Sequence, residues 1–154
     1  MNFWLEELVD LPKFRIKNVL KEDLEIFLIL DPKSEIAYCP HCQKKTDDLN
    51  QTRIVLIRDL PILGRRVYLK VPRRQFYCRN CQKYFTEPLD FVDAGRRFTR
   101  RYESSIYERV LTSSIEQVRR EEDLSWDQVN GIHKHQYERK KKSSWGTVRK
   151  LGID

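Results

Sequence analysis

The spacing of apolar residues divides this chain into two parts. Between Leu24 and Tyr77, apolar residues alternate with polar ones or form short β-branched runs, which indicates strands. From Phe98 onward they recur about every 3.6 residues, which indicates helices that each pack by one face. The pattern therefore predicts an α+β fold, in which a small β-rich region precedes an all-α unit.

The β-rich half is expected to contain one short helix and four strands. The helix is amphipathic and ends before Pro12. Runs of β-branched and aromatic residues mark the strands, and the turn residues Pro61 and Gly64 separate two of them, which predicts a hairpin. The expected bounds are 2–11 for the helix and 24–30, 54–60, 66–71 and 73–77 for the strands.

Three helices are expected in the second half. The apolar residues of 102–111 lie on one face of the first, and Ser113 or Ser114 begins the second. The third begins with the sequence Ser125-x-x-Gln128, in which each side chain can accept a hydrogen bond from the backbone N–H of the other residue.

This helical half fits a helix-turn-helix. Val118 would point inward from the second helix, Leu124 from the turn and Val129 from the third helix. Asp123 occupies the turn position that glycine often fills, and aspartate tolerates the left-handed conformation better than most residues. The alternative is an ordinary three-helix hairpin, whose polar residues form a solvated face.

In the helix-turn-helix interpretation the third helix enters the DNA major groove. The amides of Gln128 and Asn130 have the geometry that recognises adenine, and the basic run at the end of the helix suits phosphates. A basic hairpin in the first half is a second candidate surface. The candidate DNA-binding residues are Asp127, Gln128, Asn130, Gly131, Lys134, His135, Arg139, Lys140, Lys141, Lys142, Arg65 and Arg66.

All four cysteines lie in two C-x-x-C knuckles, Cys39/Cys42 and Cys78/Cys81. This spacing lets two thiolates on one tight turn share a metal, and four thiolates complete a tetrahedral zinc site. We expect one structural Zn²⁺ per chain, shielded by Phe76 and Phe85. Disulfides or free thiols are the alternative, but residues 1–10 lack the pattern of a signal peptide and imply no oxidising compartment.

The net charge of +7 is unevenly distributed. Residues 53–101 contain 13 basic and 4 acidic side chains, whereas residues 1–52 contain 7 and 10. A basic field on a metal-stapled region suits a polyanion. The alternative is a solvated face that keeps the protein soluble. No apolar run approaches the length that spans a bilayer.

Five short motifs, in this order, resemble the N-terminal region of bacterial insertion-sequence transposases of the ISL-three family. The resemblance extends from about Leu24 to the end of the chain. The motifs are Tyr38-Cys39-Pro40-His41-Cys42, Arg58-Asp59-Leu60-Pro61, Arg74-Gln75-Phe76-Tyr77-Cys78-Arg79-Asn80-Cys81, Phe85-Thr86-Glu87-Pro88 and Arg96-Arg97-Phe98-Thr99.

The resemblance implies that a zinc ribbon and a helix-turn-helix bind the terminal inverted repeats of the element, in a bacterial cytoplasm at the nucleoid. It also implies that a ribonuclease-H-like domain with a DDE triad follows. Asp154 matches the first acid of that triad, but an isolated acid cannot hold two metal ions, so this chain is expected not to be an enzyme.

The resemblance sets the expected domains and partners. Double-stranded DNA is the expected partner, together with a second copy of the chain or a full-length transposase, and neither a membrane nor a small-molecule substrate is expected. The alternative function is a zinc-ribbon regulatory protein that inhibits a full-length transposase. The expected domains are 1–37 (helix and strand packed on the ribbon), 38–95 (zinc ribbon with an inserted hairpin), 96–142 (helix-turn-helix) and 143–154 (linker and start of the catalytic domain).

Overall fold

A computed structural model describes residues 3–151 of the chain, with side chains for residues 4–142. The chain forms two compact units, Met1–Thr99 and Arg100–Asp154. The first unit is mainly β-sheet and the second is helical, as the hydrophobic periods predict. The elements are α1 (Phe3–Val9), β1 (Phe14–Lys21), β2 (Glu25–Pro32), β3 (Ala37–Tyr38), β4 (Lys45–Thr46), β5 (Leu49–Ile62), β6 (Arg65–Cys78), β7 (Lys83–Thr86), α2 (Arg100–Thr112), α3 (Ile115–Glu122) and α4 (Trp126–Leu151).

The first unit is built on a five-stranded sheet in the order β1-β2-β6-β5, with β7 also paired to β6. The β2–β6 pair is parallel and the other pairs are antiparallel. One face of the sheet is buried beneath α1 and the segment 89–92, in a core that includes Leu28, Leu69 and Val71. The strand β6 is therefore central to the unit, because β2, β5 and β7 all pair with it.

The hairpin predicted around Pro61 and Gly64 is present but longer than expected. β5 begins at Leu49, and β6 runs without a break to Cys78, so that 73–77 is the end of β6 and not a separate strand. Pro72 does not interrupt β6 because it falls between the segments that pair with β2 and with β7. No partner on that side needs the N–H that proline lacks.

Four strands were absent from the sequence prediction: β1, β3, β4 and β7. The pairing of β1 with β2 shifts between Ile16 and Asn18, and such a bulge breaks the alternation that marks a strand. β3 and β4 have two residues each and β7 has four, too few for a period to be recognised. The helix predicted over 2–11 is shorter, because Asp10 adopts a left-handed conformation at its end (φ 55°); Asn2 lies outside the described residues.

The end of the first unit is attached to the edge of β5. Arg58 donates its backbone N–H to the carbonyl of Arg97 at 3.1 Å, and its own carbonyl accepts from the N–H of Thr99 at 2.9 Å. The buried hydroxyl of Thr99 donates to Oδ1 of Asp59 at 2.7 Å. Two motifs that are 40 residues apart in sequence thus meet at this edge.

The second unit is a three-helix bundle. α2 and α3 pack on α4 around Ile106, Val118, Val129 and Ile132, all of which are fully buried. Glu122, at the end of α3, accepts from the Tyr102 hydroxyl at 2.6 Å and from Arg109 at 2.9 Å. These bonds fix α3 against α2.

The third helix is longer than expected. Residues 143–151, expected as a linker, continue α4 to Leu151, and no proline interrupts them. Residues 152–154, which include Asp154 at the expected start of the catalytic domain, lie outside the described residues. Within residues 3–151, none of the helices combines the length and the apolar character needed to cross a bilayer.

The bundle predicts the effect of a charge at Val129, which is fully buried. Val129→Asp should destabilise the helical unit by about 3–5 kcal/mol, because it leaves a buried charge without a partner. The measurement is thermal unfolding by circular dichroism at 222 nm, with metal analysis of the same sample. Zinc content should be unchanged, because the cysteines belong to the other unit.

Lys134→Asp is the matched control, since it adds an acid to the same helix at an exposed position. It should leave the thermal midpoint close to that of the wild type. A wild-type midpoint for Val129→Asp would contradict the packing of α4.

Candidate metal centre and nucleic-acid interface

Each pair of cysteines lies in the turn of a β-hairpin. Cys39 and Cys42 lie between β3 and β4, whereas Cys78 is the last residue of β6 and Cys81 lies in the turn before β7. The two turns share one backbone hydrogen bond. In the first, the N–H of Gln43 donates to the Cys39 carbonyl at 2.9 Å, and in the second the N–H of Gln82 donates to the Cys78 carbonyl at 2.7 Å. The hairpins are joined where the Thr46 hydroxyl donates to the carbonyl at position 77 at 2.9 Å.

The four Sγ atoms lie within 4.8 Å of one another, as a metal site requires. Sγ of Cys39 is 3.9 Å from Sγ of Cys81, and Sγ of Cys42 is 3.6 Å from Sγ of Cys78. A tetrahedron with Zn–S bonds of about 2.3 Å has sulfur–sulfur edges of about 3.8 Å. The separations fit zinc and are far longer than the ~2.0 Å of a disulfide, so the sulfurs are not bonded in pairs.

The residue after each knuckle has a left-handed backbone. Gln43 has φ 64° and Gln82 has φ 58°, a region that glycine adopts at less cost. Both turns adopt this conformation with glutamine and not glycine at that position. The knuckles therefore carry some backbone strain.

Aromatic rings shield the cysteines. Phe76 and Phe85 stack with centroids 5.9 Å apart and pack with Cys39 and Cys78 in a small buried cluster, as predicted. Arg74 lies over the Phe76 ring, with its guanidinium carbon 5.0 Å from the centroid.

Arg74 is itself fixed from two sides. It donates two bonds of 2.9 Å to the carboxylate of Glu87 and a third, of 2.7 Å, to the carbonyl of Ser34. Only 10% of the Arg74 side chain is exposed, so this bidentate pair is well shielded from water. The pair holds β6 to the segment that follows β7.

The thiols differ in acidity. A hydrogen bond from the backbone N–H of Lys44 lowers the pKa of Cys42 to about 6, whereas the hydrogen bond with Cys42 raises the pKa of Cys81 to about 12. Zinc binds thiolates, so metal binding releases the protons of the cysteine thiols. Zinc affinity should therefore fall as the pH is lowered.

The turn of the helix-turn-helix has the predicted chemistry. Ser114 caps α3 by accepting from the N–H of Gln117 at 3.1 Å, and Asp123 ends that helix in the left-handed conformation (φ 55°, ψ 50°). Ser125 and Gln128 form the reciprocal capping box, with bonds of 3.0 and 2.9 Å. The sequence therefore sets both the end of α3 and the start of α4.

Helix α4 has a buried and an outer face. Val129, Ile132 and Gln136 are buried against the bundle. We call Asp127, Asn130, Gly131 and Lys134 the outer face; none of them is buried, and they lie on the side of α4 away from the core. This face contains four of the residues predicted to contact DNA.

Other predicted DNA-binding residues have partners within the helical unit. The Gln128 carbonyl oxygen accepts in the capping box. Lys140 extends towards α2, with Nζ 3.5 Å from Glu108 and 4.9 Å from the centroid of Tyr107. His135 is half-buried. A change at Gln128 or Lys140 would therefore affect the bundle as well as any DNA contact.

The remaining candidates lie at two places. Arg139 and Lys142 are exposed near the end of the described side chains, and Lys141 lies 5.8 Å from the centroid of the Tyr137 ring. Arg65 and Arg66 are half-buried at the start of β6, in the other unit.

Trp126 is an exposed aromatic residue that the sequence prediction missed. It is the first residue of α4 and 47% of it is exposed. An apolar residue directly after a cap is usually assigned to the core, and only the packing shows otherwise. Its place beside Asp127 makes it a further candidate for contact with DNA.

Two family models match the chain, in sequence order. A model described as the zinc-finger of transposase IS204/IS1001/IS1096/IS1165 matches residues 37–81, which contain all four cysteines. A model described as the helix-turn-helix domain of transposase family ISL3 matches residues 87–137. The zinc-finger match and the clustered sulfurs together indicate one structural zinc ion.

One curated relative matches most of the chain. A transposase for insertion sequence element IS1001 from Bordetella parapertussis is 27% identical over 128 residues, which cover 82% of this chain and 32% of the relative. The chain thus spans about a third of the length of that relative. The search of solved structures found no match.

The metal centre predicts one zinc per chain in protein purified without added metal. Chelation should unfold the ribbon while the 222 nm signal of the helical unit persists, because the free energy of metal binding, on the order of 10 kcal/mol, is folding free energy of the ribbon. Cys78→Ser should lose the metal. A folded sample whose zinc content is reproducibly near zero would contradict this prediction.

Because Gln43 and Gln82 have a left-handed backbone, we expect Gln43→Gly and Gln82→Gly to stabilise the zinc-bound ribbon. Relief of backbone strain is worth about 1–2 kcal/mol, and the greater freedom of glycine in the unfolded chain offsets roughly half of it. Resistance of the bound zinc to a competing chelator is the measurement. Gln51→Gly, in the exposed part of β5, is the control and should destabilise; unchanged zinc retention in both knuckle variants would exclude strain at these turns.

Proposed function

This chain belongs to the ISL3 family of transposases, whose zinc ribbon and helix-turn-helix it contains in that order, and we propose that it recognises the terminal inverted repeats of an insertion sequence. Binding of double-stranded DNA at the bacterial nucleoid is the role that we assign to residues 1–154. We assign them no catalytic step.

The observation that supports this proposal is the outer face of α4. The helix begins at a fully formed cap directly after a left-handed turn, which is how a recognition helix is presented to the major groove. Asn130 offers an amide to base edges, and Lys134 offers a cation one turn further on. A three-helix hairpin would also have a polar, solvated face, so the argument for recognition rests on the turn, the cap and the match to the helix-turn-helix model.

The basic end of α4 supports the same role. Arg139, Lys141 and Lys142 follow the outer face along the helix, where the phosphate backbone would pass. Phosphate contacts set affinity and position the helix, whereas contacts to base edges set specificity. Substitutions at the basic end of α4 are therefore expected to lower affinity for all DNA, whereas substitutions on the outer face are expected to lower specificity.

The base-reading prediction is tested with duplexes selected from a randomised pool by the wild-type protein. Asn130→Ala should reduce discrimination between the selected and scrambled duplexes by about 1–3 kcal/mol, while affinity for scrambled DNA stays nearly unchanged. Gln128→Glu is the better test at the capping position, because glutamate can still cap Ser125 but loses the amide donor.

Competition binding by fluorescence anisotropy measures both quantities. Ser105→Ala, within α2 and away from the outer face, is the control. Unchanged discrimination in both Asn130→Ala and Gln128→Glu would move the reading surface elsewhere, and the hairpin at Arg65 and Arg66 would be examined next.

The phosphate prediction compares neighbouring lysines. Changing Lys141 and Lys142 to Ala should weaken binding to all duplexes alike and reduce the slope of log K against log salt by roughly 0.9 per lost contact. Lys140→Ala should change the slope less, because Lys140 is held near Glu108. Equal slopes in the double variant and the wild type would show that these lysines do not neutralise phosphates.

The alternative function is inhibition of a full-length transposase by mixed dimerisation. It stays a prediction that the same reagents can test. Tight binding to a full-length transposase without DNA, with no enrichment from the duplex pool, would favour it over repeat recognition.

A further inference from the structure

Glycine at position 131 has no role in the fold. Gly131 lies inside α4, and its backbone is helical, unlike Gly64 and Gly95, which have positive φ. A Cβ atom built at Gly131 meets nothing within 4 Å. Alanine would therefore fit without strain, and it is the far better helix former.

The position of Gly131 is specific. It lies four residues after Asp127 and three before Lys134, so it is midway along the outer face and is not buried. The residues on either side along the face are polar or charged. Because glycine has no side chain, the helix backbone is uncovered between the longer side chains of Asp127 and Lys134.

We propose that glycine stands at 131 because α4 approaches DNA there more closely than a methyl group would allow. Glycine is the residue that permits close approach of a backbone to a ligand. In this arrangement the backbone at 131 lies against the edges of the base pairs or the adjoining sugar–phosphate chain. Asn130 and Lys134 then reach their contacts from either side of the closest point. This inference rests on the proposed function, since it assigns the outer face to DNA.

The inference predicts opposite effects on stability and binding. Gly131→Ala should raise the thermal midpoint of the 222 nm transition by several degrees, as a better helix former does at an unstrained site. The same variant should bind the selected duplex roughly tenfold more weakly or worse, because the added methyl group displaces the neighbouring contacts. Gly131→Leu should bind more weakly still.

Two sets of variants make the test specific. Ser105→Ala, which raises helix propensity within α2, should gain some stability and bind like the wild type. Lys134→Ala and Asn130→Ala report separately whether the outer face contacts DNA. If they lose binding while Gly131→Ala binds like the wild type, the close approach is excluded and the proposed function stands. A lowered midpoint for Gly131→Ala would also overturn the inference, because the fold itself would then require glycine.

Discussion

The convergence of four thiolates is the constraint on which the first unit depends. The two knuckles end different hairpins, and few apolar residues surround them, since the buried cluster there contains only Ala37, Phe76 and Phe85 besides cysteines. So small a cluster cannot hold two hairpins by burial alone. The metal supplies the missing free energy, and because β6 passes from the main sheet into the second knuckle, it also fixes the ribbon to that sheet.

Several residues of the motifs that resemble the transposase family hold the structure together. Arg74 and Glu87 belong to separate motifs and form a shielded bidentate pair. Asp59 and Thr99 likewise come from separate motifs and meet through a buried hydrogen bond. A buried polar group without its partner costs about 1–3 kcal/mol, so changing either member of such a pair is expensive. These four motif residues therefore join segments of the scaffold.

Helix α4 separates folding from recognition by face. Its buried side is fixed by Val129, Ile132 and Gln136, and its start is fixed by the Ser125 cap. None of the outer-face residues is buried in the bundle, so they are accessible to a partner. Gly131 shows the difference most clearly, because helix stability alone would select alanine at that position.

The sequence by itself determined the features that depend on local spacing. The C-x-x-C knuckles, the hairpin turn at Gly64, the left-handed Asp123 and the Ser125 cap were predictable because each is set within a few residues. Only the tertiary structure decided which long-range partners each side chain has. It showed that β1 pairs with β2 despite a bulge, that β6 continues through Pro72, and that Lys140 extends towards Glu108 of α2. Those outcomes depend on contacts between segments far apart in the chain, whose burial and pairing free energies no local pattern records.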